Sequence, residues 1–235
     1  MRRVTINALM ALVICFTTSI STDAQVAPQD LVMNTGSRST QNAQASDYSL
    51  EKSDNEFGFW GGISFKATTI FGGLHEDEAA DRKFVIAAFR YGRTLAANDS
   101  VALQYTLDAI PLAVATGDIV SSTTVGTASV FRRETAYGAG VTPLGLQLDF
   151  ANGSRVHPFL HVNGGGLIFN KSVPLPDAGH FAFVGEAGTG VRIFTSGRRA
   201  MTLGVRFHHI SNGGRSGSNR GLNQFVVYAG FSIFK

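Results

Sequence analysis

Cysteine is all but missing from this 235-residue chain, and the single thiol, Cys15, lies near its N-terminus. A disulfide scaffold is therefore excluded. Charge is scarce as well: Asp, Glu, Lys and Arg make up 16% of residues, against about 25% in an ordinary globular domain. Twenty Lys and Arg against 17 Asp and Glu leave a surplus of +3, too small to indicate a nucleic-acid partner. From Phe57 onward there is no apolar run of the length a transmembrane helix needs, roughly 18 residues or more. What is abundant is apolar surface and glycine, at 44% hydrophobic residues and 27 Gly, with 18 Phe. The first argues against disorder, the second against a coiled coil. The composition therefore poses one question: where so much apolar surface goes with so little charge to cover the rest.

The N-terminus has the order of a secretory signal. Arg2 and Arg3 precede a mostly apolar run over residues 8–16, and small residues then lead to Thr22-Asp23-Ala24. This predicts a signal peptide over 1–24, cut after Ala24; the run is too short for a membrane anchor. Residues 25–56 are rich in Ser, Gln, Asn and Asp and read as a flexible polar leader. The folded part is expected over 57–235.

There the pattern is alternation. Phe57, Phe59, Gly61, Ile63 and Phe65 share one parity, and Trp60, Ser64 and Lys66 the other. Val101, Leu103, Tyr105 and Leu107 alternate with Gln104, Thr106 and Asp108; Leu144, Leu146 and Leu148 with Gln147 and Asp149. The same period of two runs through 155–169, 179–194, 198–211 and 221–234, and 82–95 completes eight candidate strands. Connections at 97–99, 152–154 and 195–197 are tight, whereas those at 72–81, 111–132, 170–178 and 212–220 are long. Short and long connections alternating over an even number of strands predict an all-β fold. Its form is an eight-stranded antiparallel transmembrane β-barrel with short periplasmic turns and longer outer loops. The apolar row then faces lipid and the polar row fills the interior, where Gly relieves crowding. The terminal Phe231-Ser232-Ile233-Phe234 supplies the aromatic end of such a chain. A soluble sandwich or lipocalin-like barrel would also alternate, but its polar face would need more charge than this row carries.

One stretch of the apolar row breaks the rule. Met201, Leu203, Val205 and Phe207 continue into His209 and Ser211, and the returning strand places Asn223 in line with Phe225 and Val227. If the hairpin sets Ser211 opposite Gly221, then His209 faces Asn223 and Phe207 faces Phe225. The result is a polar trio on the lipid side near the outer leaflet, costly in hydrocarbon and so a functional candidate. By residue type, Ser211 is a nucleophile, His209 its base and Asn223 the group that orients the imidazole. The loop holding Asn212, Gly214 and Asn219 offers donors for an oxyanion. An interfacial girdle of His, Ser and Asn meeting head groups is the alternative without chemistry. Glu186 has the inward parity and is expected to pair with Arg206 or Arg192, with His157, His161 and His208 as core histidines. The acidic run His75-Glu76-Asp77-Glu78 is read as a solvated loop, or else as a divalent-cation binder.

The segment Phe207-His208-His209-Ile210-Ser211-Asn212-Gly213-Gly214, with Asn219-Arg220-Gly221-Leu222-Asn223 after it, resembles the C-terminal signature of the lipid A 3-O-deacylase family. These are PagL-like acyloxyacyl hydrolases. The resemblance implies an eight-stranded barrel of the bacterial outer membrane, hydrolysing the ester-linked 3-hydroxyacyl chain at position 3 of lipid A. It implies His209 as base, Ser211 as nucleophile, and Gly214 and Asn219 as oxyanion donors. Lipopolysaccharide in the outer leaflet is the implied partner, with a homodimer left open and no metal or diffusible cofactor. In the family a Glu stands fourteen residues after the His, where this chain has Asn223. An amide accepts a hydrogen bond from the imidazole but cannot stabilise the imidazolium by charge. The other reading is therefore a barrel that keeps the fold with weakened or no catalysis, in a structural or lipid-binding role.

Overall fold

The computed structural model describes residues 48–71, 73, 82–125, 128–195, 198–217 and 220–235. The expected signal peptide, most of the leader, the acidic run at 75–78 and Asn219 lie outside them. The strands are β1 (Asn55–Ser64), β2 (Ala67–Thr68), β3 (Lys83–Ala97), β4 (Val101–Val125), β5 (Ala128–Phe150), β6 (Val156–Phe169), β7 (Phe181–Phe194), β8 (Arg199–Ser211) and β9 (Leu222–Phe234). Each long strand pairs antiparallel with its neighbour, and β9 returns to pair with β1. Eight long strands thus close on themselves, and the two-residue β2 extends the ladder on β9 beyond the end of β1.

Parity decides the two faces. Phe57, Phe59, Phe89, Leu146, Leu160, Val162, Met201, Leu203, Phe225 and Val227 stand on the outer wall, exposed. Arg90, Gln104, Asp108, Gln147, Asp149, Asn163, Glu186, Arg192 and Arg206 are buried inside it. A soluble barrel would reverse this assignment, because charge inside and hydrocarbon outside is favourable only when the outer solvent is lipid. The fold is a transmembrane β-barrel.

The interior is filled rather than open. Arg90 clasps Asp108 with two bonds of 2.8 Å, and Arg192 bonds Asp149 and Glu56, each at 2.9 Å. Glu186 takes a bond of 3.0 Å from Arg206 and one of 2.6 Å from His208 Nδ1. Of the two partners expected for Glu186, Arg206 is therefore the one found. The Arg206 guanidinium lies between the rings of Trp60 and Tyr228, 3.7 and 4.1 Å from their centroids. Each of these buried charges thus has an opposite charge or an aromatic face beside it, the condition under which burial is tolerable. His161 is the exception among the core histidines, with no hydrogen-bond partner on either ring nitrogen.

Two boundaries differ from the sequence expectation. The stretch 111–132, expected as a long outer loop, is instead the continuation of β4 and the start of β5. The ladder shifts register between Ile110 and Ala113 and between Val141 and Leu144, so the buried parity flips at Pro111 and again near Pro143. Proline cannot donate to a ladder and is accommodated at bulges. The leader, expected to run to Glu56, packs from Tyr48 onward: Leu50 is buried with Ala102, Phe194, Ala200 and Phe234. Asn152 holds the Leu50 backbone, accepting its N–H at 2.8 Å and donating to its carbonyl at 2.9 Å. Phe234, of inward parity, belongs to the same base cluster.

Candidate active site

β8 and β9 meet in the expected register, His209 opposite Asn223 and Phe207 opposite Phe225. The ladder ends at Ile210 and Leu222; beyond it, Gly221 bridges to Gly73 of the β1–β3 connection. On the other side of β8, His209 faces Gly185 of β7 and Ser211 faces Phe183. His209 and Ser211 are half-buried and share the outward face at the outer end of β8.

Two of the trio are bonded to each other. The His209 imidazole donates from Nδ1 to Asn223 Oδ1 at 2.5 Å. The ring leans along the strand over Gly221: a Cβ built there would stand 2.6 Å from His209 Cε1 and 3.0 Å from Nδ1. Gly221 is thus the residue whose missing side chain lets the imidazole reach toward the level of Ser211. No bond between Ser211 and His209 is formed in this conformation.

The loop after β8 differs from the expectation. The Asn212 side chain is buried and already occupied: it accepts the Gly214 N–H at 2.8 Å and donates to Ser216 Oγ at 2.8 Å and the Ala178 carbonyl at 3.2 Å. Asn212 therefore shapes the loop and is not a free donor. The Gly214 N–H reaches an oxyanion only by exchanging Asn212 as its partner. Gly213 and Gly214 take φ of 65° and 74°, a left-handed pair that glycine allows at little cost.

Beside the trio the outer wall is hollowed. A groove of about 580 Å³ runs across β5, β6 and β7, between Val141, Leu144, Ile168, Phe181 and Phe183, over a floor that includes Gly164 and Gly166. Gly185, which pairs with both Gly164 and His209, has open space where a side chain would stand. The groove and the trio thus meet at β7.

A family model for lipid A 3-O-deacylase (PagL) matches residues 93–232, more than half of the chain. The chain belongs to the lipid A 3-O-deacylase (PagL) family. No curated protein matches the sequence. Similar solved structures include the outer membrane enzyme PagL, at 14% identity over 74% of this chain and 98% of that one, with a TM-score of 0.46. Others are OprG from Pseudomonas aeruginosa, at 13% identity over 80% and 98% with a TM-score of 0.43, and Neisserial surface protein A, at 12% over 77% and 96% with a TM-score of 0.42.

The sequence expectation named Gly214 but gave no role to Gly221 or to the residues that cover Asn223. Gly221 was visible as a glycine on the outward row beside two polar residues; Thr68, Ile70 and Gly73, which close over Asn223, left no periodic signal. If the trio is an ester-hydrolase site, Gly221→Ala is expected to lower kcat by about 10²-fold, the scale of a 1 Å misplacement of a catalytic group. KM should hardly move, because the added methyl meets the imidazole and not the groove. Steady-state kinetics in mixed micelles check it; unchanged kcat would mean that the ring position over Gly221 is irrelevant to turnover.

Proposed function

We propose that this chain is an esterase of the bacterial outer membrane that removes an ester-linked 3-hydroxyacyl chain from lipid A. The supporting observation is the polar group His209, Ser211 and Asn223 on a wall otherwise built for hydrocarbon, in a chain of this family. In this reading Ser211 Oγ attacks the ester carbonyl carbon while its proton passes to His209 Nε2. The oxyanion is met by the loop of Gly214, with Asn219 as a further donor. When the tetrahedral species collapses, the glucosamine alkoxide leaves and takes the proton back from Nε2. Water then adds to the acyl-serine, gives its proton to the same nitrogen, and the hydroxy fatty acid departs as Ser211 regains a proton.

Lateral arrival of the substrate explains why such a site is on the outside. Lipid A carries its ester near the head-group level, and the groove across β5, β6 and β7 is apolar and of a size for an acyl chain. Export through a signal peptide ending at Ala24 and insertion into the outer membrane belong to the same proposal. The test is expression in a host with intact lipid A. Mass spectrometry is expected to show lipid A lighter by one hydroxyacyl chain. Unchanged lipid A together with a folded, surface-inserted barrel would favour the non-catalytic reading, for which Asn223 in place of the family's Glu is the specific observation.

A further inference from the structure

Asn223 belongs to the outward row of β9, with Phe225 and Val227, yet it is fully buried. What covers it is the connection after β1. Ala67 and Thr68 add to β9 with Thr68 opposite Asn223, and the Ile70 carbonyl accepts a hydrogen bond from Asn223 Nδ2. Gly73 then bridges to Gly221, so closely that a Cβ on it would stand 2.8 Å from Asn223 Nδ2 and 2.1 Å from the Thr68 carbonyl oxygen. Phe71 rests its ring on Phe207 at 5.7 Å, and Phe207 meets Phe225 at 5.5 Å. Phe71 does so with a left-handed backbone, φ 54°, a conformation costly for a bulky residue unless its surroundings impose it. Residues 65–71 and Gly73 therefore form a strap over the amide.

A backbone carbonyl only accepts hydrogen bonds, so the group facing Ile70 must donate. A carboxylate cannot donate, whereas a primary amide donates at one end and accepts at the other. We infer that the strap is a positioning element of the site, and that Asn223 is the residue matched to it rather than a degraded acid. With Nδ2 held by Ile70, Oδ1 is turned toward the imidazole and can only accept from it. The His209 proton is thereby fixed on Nδ1, and Nε2 is left with its lone pair toward the serine side. On the hydrolase reading, that is the tautomer a base for Ser211 needs. Phe65 and Phe71 are the exposed outer face of the strap, so lipid packs against the element that orients the amide.

The tautomer can be read without turnover, by two-bond proton–nitrogen correlation of the histidine rings of the folded barrel in detergent micelles, with His209→Gln to assign its signal. Wild type is expected as the Nδ1–H form, and Gly73→Ala, which pushes the strap off Asn223, as a mixture containing the Nε2–H form. A wild-type ring in the Nε2–H form overturns the inference, even if Gly73→Ala fails to fold. Activity supplies a second arm. Asn223→Asp sets a carboxylate oxygen against the Ile70 carbonyl and is expected to lower kcat roughly tenfold or more; a gain in kcat overturns the strap assignment. A wild type that holds the Nδ1–H tautomer but releases no acyl chain would remove the hydrolase reading and leave the strap standing.

Discussion

Ser211→Ala and His209→Ala are each expected to abolish the deacylated lipid A species, a loss on the order of 10⁶ in kcat if the pair acts as a serine hydrolase's nucleophile and base. In such sites nucleophile and base work as a unit, so the double variant should be no worse than either single one. The barrel itself should be indifferent. Both side chains stand on the outward face at the end of β8, and neither is a member of the buried charge network formed by Arg90, Asp108, Glu186 and Arg206. Alanine there replaces a polar group in or near hydrocarbon with an apolar one. Heat-modifiable migration on gels reports folding, and lipid A mass spectra report turnover, so the two effects separate. Survival of activity in either single variant would take that residue out of the catalytic assignment. Losses that simply multiply in the double variant would mean that the two residues act independently.

The reasons for legibility and its failures are local. Outward and inward rows could be read because a strand's side chains alternate and lipid tolerates no charge on the outer row. From that rule followed the facing of Phe57, Leu146 and Met201 and the inward Glu186 and Arg206; the opposition of His209 and Asn223 needed the hairpin register as well. The rule fails where the count slips by one. Pro111 and Pro143 sit beside bulges that exchange the faces of β4 and β5, so an unbroken strand looks like a strand that stops. Glu56 was hidden differently: a charged residue after a polar leader reads as solvated until Arg192 is found 2.9 Å away from the opposite side of the barrel. Closure contacts between β1 and β9 join the two ends of the fold, a separation over which no periodicity carries. The strap over Asn223 belongs to this class, since Ile70 and Asn223 meet only because the barrel closes.

The largest effect on stability is expected at Glu186. Its carboxylate takes bonds from Arg206 at 3.0 Å, His208 at 2.6 Å and Asn163 at 3.2 Å, and both it and Arg206 are buried in the barrel. Glu186→Ala would leave the Arg206 guanidinium with Asp108 at 3.9 Å as its nearest acid, and Asp108 is already clasped by Arg90. Stranding one partner of a buried ion pair costs about 3–5 kcal/mol. The midpoint of urea unfolding in lipid vesicles should fall accordingly, with heat-modifiability lost at a lower temperature. Arg132→Ala provides the contrast, because its pair with Glu134 places Arg132 in solvent and exposed pairs contribute about 0–1 kcal/mol. The cause is separable from mere loss of contacts. In Glu186→Leu with Arg206→Met both charges are removed, and most of the lost stability should return, because the penalty comes from an uncompensated charge and not from a missing attraction. A double variant as unstable as the single one would instead assign the cost to packing around Trp60 and Tyr228, where the Arg206 guanidinium lies between the two rings.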